Sequence, residues 1–249
     1  MQKKEQSGSS NSGLRNSTRS AGRPSKPVLD KKTIAEAALK IIDCNGESQL
    51  TMQRLASRLN VAVAAIYNHI ADKAELLLLV QDLIMEQVDT SALEEIQCAK
   101  TPVTHLPMAL KTWATSYRNI FARYPTLVPV IATMPVSGTS STLAMYESLT
   151  KTFQCCGISN RVIPAIIIGF ESFLFGSAID ANAPAEIFKA DSSNFANEKF
   201  SQAIDAFTSS IDNQQDNGTE ICRVSNPYAD APFMWGLDAL IAQTLDHTS

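Results

Sequence analysis

The sequence has few of the residues that serve catalysis and metal binding. Its three histidines, His69, His105 and His247, lie far apart, and no two cysteines have the spacing of metal ligands. Neither a glycine-rich phosphate loop nor a nucleophile elbow occurs among its ten glycines. These absences argue against an enzyme, and we expect no metal and no organic cofactor.

The chain also lacks the marks of export and of membrane insertion. Its five cysteines are odd in number and predict reduced, mostly buried thiols in a cytoplasmic protein. Residues 1–29 contain no apolar signal-peptide core. Residues 162–179 are apolar enough to suggest a membrane span, but they include Pro164 and Glu171 and lack basic flanks beyond Arg161, so a buried helix is the preferred interpretation.

The charge is unevenly distributed. A net charge of −4 argues by itself against a nucleic-acid partner. However, residues 1–73 hold twelve Lys or Arg against six Asp or Glu, whereas the remainder holds nine against nineteen. A basic front and an acidic back are typical of a protein whose first part meets a polyanion, although an uneven solvated surface is an alternative.

Apolar residues recur at helical spacing once the Ser-, Asn- and Gly-rich residues 1–29, a predicted flexible basic arm, have ended. Asp30 is expected to cap a first helix that ends at Asn45-Gly46. Thr51 is expected to cap a second helix that ends at a left-handed Asn60, and a third helix should cover residues 62–70.

The remainder of the chain also predicts helices, so the expected fold is all-α. Asp72 should cap a long helix over residues 73–97, and Pro102 and Pro107 should mark a break after it. Residues 182–229 should include an exposed loop. Further helices are predicted at 106–123, 125–134, 139–156, 160–181, 195–211 and 230–246.

Two short helices joined by a three- to four-residue turn within residues 51–70 are typical of a helix-turn-helix, whose second helix enters the DNA major groove. The sequence here resembles the tetracycline-repressor (TetR) family through LTMQRLA at 50–56, LNV at 59–61 and IYNHIADK at 66–73. A weaker likeness to the C-terminal domain of the tetracycline-repressor-like branch involves Arg118 and residues 124–127, 156–158 and 233–238.

The resemblance implies a helix-turn-helix DNA-binding domain at 30–75 and a helical effector-binding and dimerisation domain at 76–249. It also implies which side chains contact DNA. Those expected at phosphates are Thr51, Tyr67, His69 and Lys73, and those expected at base edges are Met52, Val63, Ala64 and Asn68.

The chemistry of these residue types supports such roles, but each has an alternative. The amide of Asn68 can bond adenine, whereas Val63 and Ala64 offer only apolar contact with thymine methyl groups. Gln53 could reach the backbone or a base, and Arg23 could enter an A·T-rich minor groove. The alternatives are an N-cap alone for Thr51, core positions for Tyr67 and His69, ordinary surface positions for Gln53 and Lys73, and a linker for Arg23.

A single helix-turn-helix reads few base pairs, so a homodimer is expected. Apolar stripes in the helices near 160–181 and 230–246 are candidates for its interface, and by the family resemblance they would form an intersubunit four-helix bundle. Packing within the protomer is the alternative. The interface candidates are Ile166, Phe170, Phe173, Phe233, Leu237 and Leu240.

An effector pocket should be mostly apolar with a few polar anchors, and should lie between helices of the back domain. The expected lining residues are Trp113, Tyr117, Phe121, Tyr146, Phe153 and Phe170, and for each of them core packing is the alternative that the sequence favours. The predicted function is a repressor that a small molecule releases from a palindromic operator. Alternatives are an activator of the same fold and a helical protein-interaction adaptor with a non-functional helix-turn-helix.

Overall fold

The structure, a computed structural model, describes residues 29–136, 140–184, 187, 198–215 and 226–248. Over these ranges the chain forms helices and no strand, as the apolar periodicity predicts. A 3-10 turn, Glu47–Gln49, follows the first helix. The helices are α1 (Lys31–Asn45), α2 (Met52–Leu59), α3 (Val63–Tyr67), α4 (Lys73–Met85), α5 (Ser91–Gln97), α6 (Pro102–Phe121), α7 (Val128–Ile131), α8 (Ser140–Cys155), α9 (Ile163–Asp180), α10 (Glu198–Gln215) and α11 (Pro227–Leu245).

The ends of the first helices follow from local side-chain chemistry. The carboxylate of Asp30 accepts the Thr33 amide at 2.7 Å, and that of Asp72 accepts the Glu75 amide at 2.8 Å, so both predicted N-caps are confirmed. Gly46 ends α1 with a φ of 82°, a conformation that glycine adopts without a side-chain clash. The apolar stripe of α1 is buried against α4, which joins the first three helices to the rest of the protein.

The predicted long helix over residues 73–97 is wrong, because α4 ends at Met85 and a separate α5 begins at Ser91. In the connection, the carboxylate of Asp89 accepts both the amide and the hydroxyl of Ser91, at 2.9 and 2.6 Å. The Asp89 amide donates to the Ser116 hydroxyl at 2.9 Å. These local bonds offer the backbone an alternative to continued helix, which apolar periodicity alone does not reveal.

The break expected at Pro107 is also wrong, since α6 runs from Pro102 through Pro107 to Phe121. A proline inside a helix removes one backbone hydrogen bond and costs about 3 kcal/mol or more. Here Leu106 and Leu110 flank it and are fully buried, and α6 packs against α5 along this region. Burial of these side chains offsets the local cost.

Two further boundaries differ from the prediction. The third helix ends at Tyr67, because residues 68 and 69 turn before Ile70, and the helix expected over 125–134 is the single turn α7. The loop expected within 182–229 falls largely outside the described ranges, apart from α10, whose bounds lie within a few residues of the prediction.

The back domain packs α6 and α9 at its centre, with α5, α8 and α11 around them. Helix α9 is the described helix whose length and composition would allow a membrane span, and one third of that stretch is buried. It lies against α6, α8 and α11, which accounts for its buried residues. The expectation of mostly buried thiols is wrong for the described cysteines, because Cys44, Cys98 and Cys155 are exposed and Cys156 is buried.

Candidate DNA-binding and effector sites

The helix-turn-helix is formed by α2 and α3 and by the tight turn between them. The Thr51 hydroxyl accepts the Arg54 amide at 3.1 Å and so fixes the start of α2. Asn60 ends α2 in the left-handed conformation, with φ 54° and ψ 47°, as predicted. Leu55 and Ile66 are fully buried, so the two helices share a core that sets their relative orientation.

The side chains predicted to contact DNA divide between exposed and half-buried positions of this unit. Gln53, Ala64, Tyr67 and Asn68 are exposed, and the Tyr67 side chain at 51% exposure is not a core residue. Met52, Val63 and His69 are half-buried, where Met52 and Val63 pack against the core of the unit. Gln53, Ala64, Tyr67 and Asn68 are therefore accessible to solvent, while Met52 and Val63 are held by the core.

Lys73, predicted to contact a phosphate, is engaged within the protein. Its Nζ lies 2.6 Å from Oε1 of Glu47, and both side chains retain solvent contact. The acid belongs to the 3-10 turn before α2, and a pairing across this sequence separation leaves no signal in local spacing. A phosphate at Lys73 therefore competes with the Glu47 carboxylate.

Glu47 also lies where the helix-turn-helix meets the back domain. Its amide donates to the Thr126 hydroxyl at 3.4 Å, and Thr126 precedes α7. The neighbouring Gly46 faces the Thr126 methyl group. One short segment thus contacts both a predicted phosphate ligand and the connection between α6 and α7, a link that the sequence did not predict.

The basic charge of the front part is concentrated outside the described residues. Residues 29–73 hold six Lys or Arg and five Asp or Glu, whereas residues 1–28 hold six Lys or Arg and one Asp or Glu. Arg23 lies in that first segment, so its predicted place in the minor groove falls outside the described ranges. Within the described unit, Lys31 is paired with Glu75 at 2.6 Å. Its Lys and Arg residues therefore give the folded unit little net positive charge.

The structure brings four of the predicted effector residues into ring contact. The Trp113 ring lies 5.6 Å from that of Phe170 and 6.0 Å from that of Tyr117, and Tyr117 stacks on Phe121 at 4.8 Å. All four are at most 1% exposed, as is Phe153. These side chains form much of the domain core, the alternative that the sequence left open.

Glu171 of α9 connects this aromatic group to Tyr146. Its carboxylate accepts the Tyr117 hydroxyl at 3.1 Å and the Tyr146 hydroxyl at 2.8 and 2.7 Å. Burial raises the pKa of Glu171 above its usual value, while the two tyrosine hydrogen bonds act in the opposite direction. The sequence analysis used Glu171 only as an observation that disfavours a membrane span. An acid within an apolar helix is, however, itself a signal of a functional group.

Besides Nη2 of Arg118, three deeply buried polar atoms of the surrounding helices have no hydrogen-bond partner among the described residues. They are Nε1 of Trp113 on α6, Oε1 of Gln81 on α4 and Oγ1 of Thr142 on α8. Native proteins satisfy most buried polar groups, so each such atom requires an explanation, and a bound molecule is one. Trp113 and Thr142 are on α6 and α8, two of the helices around the Tyr146–Glu171 pair. Gln81 is on α4, which packs against α8.

The predicted dimer residues divide between core and surface. Phe170, Phe233 and Leu237 are at most 3% exposed within the protomer, and Phe233 stacks on Phe173 at 5.8 Å. Ile166, Phe173 and Leu240 are half-buried. The side chains of the first three therefore belong to the core of one chain.

Sequence reasoning missed several exposed apolar residues of the same two helices. Ile168 on α9 is 62% exposed, and Trp235 and Met234 on α11 are 79% and 40% exposed. A Cβ added at Gly169 or Gly176 of α9 would meet no atom within 4 Å, so this face is open. A groove of about 250 Å³ between α9 and α11 continues it.

Comparisons with known proteins agree with this architecture. The family described as "Bacterial regulatory proteins, tetR family" matches residues 34–80, and "Tetracyclin repressor-like, C-terminal domain" matches residues 102–242. The chain is 27% identical over 160 residues to the "HTH-type transcriptional repressor DrrR1" of Streptomyces coeruleorubidus. The aligned region covers 64% of this chain and 56% of that protein. The chain thus spans little more than half the length of that relative.

Solved structures resemble the whole fold. ActR of Streptomyces coelicolor in complex with (S)-DNPA superposes with a TM-score of 0.67 at 19% identity, over 89% of this chain and all of ActR. BioQ, a Mycobacterium smegmatis protein, superposes in its complex with its double-stranded DNA operator with a TM-score of 0.56 at 21% identity, over 88% of this chain and all of BioQ. Because the second family model alone matches more than half of the chain, this protein belongs to the TetR family of bacterial regulatory proteins.

Proposed function

We propose that this chain is a homodimeric transcriptional repressor of the cytoplasm, which binds a palindromic operator and leaves it when a small molecule binds the back domain. The observation that carries the proposal is the exposed face of α2 and α3, on which Gln53, Tyr67 and Asn68 project from a rigidly packed unit. The DrrR1 repressor, the operator complex of BioQ and the (S)-DNPA complex of ActR support it by likeness.

In this proposal α3 lies in the major groove and its side chains read the bases. Asn68 offers adenine a donor and an acceptor, and Val63, Ala64 and Met52 offer apolar contact to thymine methyl groups. The phosphate contacts are assigned to Thr51, Tyr67, His69 and Lys73. Gln53 lies beside Met52 and reaches the backbone or a base, and Arg23 enters the adjacent minor groove.

Dimerisation would place two such units on neighbouring half-sites about one helical turn of DNA apart. Ile168, Trp235 and Met234 form an exposed apolar face on α9 and α11, which a second copy would cover. Exposed apolar patches of this kind often mark interaction sites. The half-buried Ile166, Phe173 and Leu240 would adjoin that interface, and Phe170, Phe233 and Leu237 would support it from the core.

The effector would act by binding more tightly to the conformation that does not fit the operator. The interior around Trp113, Tyr117, Phe121, Tyr146, Phe153 and Phe170 is the proposed site. Because α4 ends at Met85, the coupling between the effector site and the helix-turn-helix does not run along a single helix over residues 73–97. We assign it to two contacts: α4 against α1, and the segment from the end of α6 through Thr126 to Glu47.

The salt dependence of binding to a duplex tests this function. Each phosphate neutralised by a cation contributes about −0.9 to the slope of log K against log salt. Fluorescence anisotropy with a labelled mixed-sequence duplex should show a steep slope for the intact chain, reduced by about 0.9 per bound helix-turn-helix in Lys73→Ala. Lys151→Ala is the matched control, since Lys151 is an exposed lysine of α8. Equal slopes for both variants, or no binding at low salt, would refute the proposed contact.

A further inference from the structure

The interior between α6, α8 and α9 contains an acid surrounded by aromatic rings. We call Glu171, Tyr117, Tyr146, Trp113 and Phe170 the acid–aromatic cluster. Tyr117 and Tyr146 donate to the Glu171 carboxylate from α6 and α8, at 3.1 Å and 2.7 Å. Trp113 lies one helical turn before Tyr117, and its ring contacts that of Phe170, the residue before Glu171. Three helices therefore converge on one carboxylate.

No lysine, arginine or histidine of the described residues forms an ion pair with Glu171. The neighbouring Arg118 is directed elsewhere, since its Nη1 pairs with Asp230 at 2.7 Å and its Nε donates to the Ser177 carbonyl at 3.3 Å. Partial burial of a carboxylate without a cation is unfavourable, and two neutral hydroxyl groups compensate only part of that cost. The cluster therefore carries an acid whose charge has no partner within the described protein.

A second observation also indicates a bound ligand in this interior. Nε1 of Trp113, a side chain 1% exposed, has no hydrogen-bond acceptor among the residues that the structure describes. The unpartnered Oγ1 of Thr142 lies one turn before Tyr146 on α8, and the unpartnered Oε1 of Gln81 lies on α4, which packs against α8. A purely structural core would be more stable with apolar residues at such positions.

We propose that the acid–aromatic cluster binds a protonated amine carried on an apolar, aromatic body. This inference rests on the proposed function, because it names the chemical class of the effector. The Glu171 carboxylate supplies the opposite charge, and the faces of the Trp and Tyr rings attract a cation. A carbonyl or ether oxygen on the same ligand would accept a hydrogen bond from Trp113 Nε1. An anionic ligand is excluded by repulsion from the same carboxylate.

Three small probes that share one ring system but differ in charge test this directly. They are 2-naphthylmethylamine, which is cationic at pH 7, 2-naphthylmethanol, which is neutral, and 2-naphthoate, which is anionic. Binding to the full chain is measured by titration calorimetry without DNA. The amine should bind about tenfold more tightly than the alcohol, as expected for a cation held by a carboxylate and aromatic rings, and the naphthoate should bind most weakly.

Variants at the acid identify the residue responsible. Glu171→Gln should abolish the preference for the amine over the alcohol, whereas Glu171→Asp, which retains the charge, should keep the preference at lower affinity. Glu147→Gln is the matched control, because Glu147 is an exposed acid of α8, the helix that carries Tyr146, and should leave the preference unchanged. Thermal melts identify any variant that fails to fold, and the three probes on the unaltered chain decide the question without variants.

Equal binding of amine and alcohol to the unaltered chain would overturn the inference, as would no binding of any probe at millimolar concentration. A preference that survives in folded Glu171→Gln would overturn the assignment to this cluster. Failure of the proposed DNA function is distinguishable, since it is measured with a duplex alone. A chain that binds the amine but no duplex would refute only the repressor, and the reverse result would refute only the amine site.

Discussion

Neutralising Glu47 should strengthen DNA binding, because its carboxylate holds Lys73 at 2.6 Å and competes with the phosphate that this lysine is proposed to contact. Partly exposed ion pairs are typically worth about 0.2–1 kcal/mol. Release of the lysine in Glu47→Gln therefore corresponds to an affinity gain of up to about fivefold for each helix-turn-helix. A dimer with two such units would multiply these gains, giving up to about 25-fold.

The assay is fluorescence anisotropy of a labelled duplex, with the dissociation constant measured across a series of salt concentrations. Glu47→Gln should leave the log–log salt slope close to that of the unaltered chain, because Lys73 neutralises the same phosphate in both, so the gain should appear as a lower dissociation constant at each salt concentration. Glu36→Gln is the matched control, since Glu36 is an exposed acid of α1 and removes the same charge from the same domain. If Glu47→Gln binds no more tightly than Glu36→Gln, the competition between carboxylate and phosphate is refuted.

Three other changes have defined outcomes. Thr51→Ala removes the cap of α2 and should cost about 1 kcal/mol in urea unfolding as well as operator affinity, whereas Thr51→Ser should retain both; an unchanged stability would contradict the cap. Ile168→Glu should raise the dimer dissociation constant about 30-fold or more in light scattering, since burying an unpaired carboxylate costs at least about 2 kcal/mol. Met108→Glu, on the exposed surface of α6, is the control and should leave the dissociation constant unchanged. A stable Ile168→Glu dimer would exclude the apolar face of α9 and α11 as the interface. The pKa of Glu171 is raised in the folded state, so its ionisation destabilises the folded protein as pH rises above about 4.5. In denaturant unfolding, the free energy of unfolding of Glu171→Gln should therefore increase relative to that of the unaltered chain between about pH 4.5 and 7. A difference that does not depend on pH would rule out the raised pKa.

What the sequence predicted correctly depends on interactions within a few residues. The caps at Asp30, Thr51 and Asp72 and the left-handed Asn60 involve bonds or backbone conformations confined to one turn. The helical stripes follow from a period that is visible in the sequence itself. These signals are also those that carry the family resemblance, so the amino-acid sequence alone was sufficient to predict the helix-turn-helix.

The errors arise where tertiary contacts decide. Helix α6 continues through Pro107 because its buried leucines pack against α5, a contact that local propensity does not contain. The Lys73–Glu47 pair and the bonds from Tyr117 to Glu171 join residues 26 and 54 positions apart, and no spacing rule reveals them. Apolar patterns likewise do not separate a side chain such as Leu237 that is buried in the protomer from one such as Trp235 that is exposed on the same helix.

Selection of bound duplexes from a random-sequence pool by the purified chain tests whether α2 and α3 read DNA. The selected pool should be enriched in an inverted repeat whose half-sites lie about one helical turn apart. Asn68→Ala should lose discrimination at one base pair of each half-site by about 1–3 kcal/mol while its salt slope stays unchanged. No enriched sequence at low salt, or the same enrichment and discrimination for Asn68→Ala, would show that α2 and α3 do not read DNA through this residue.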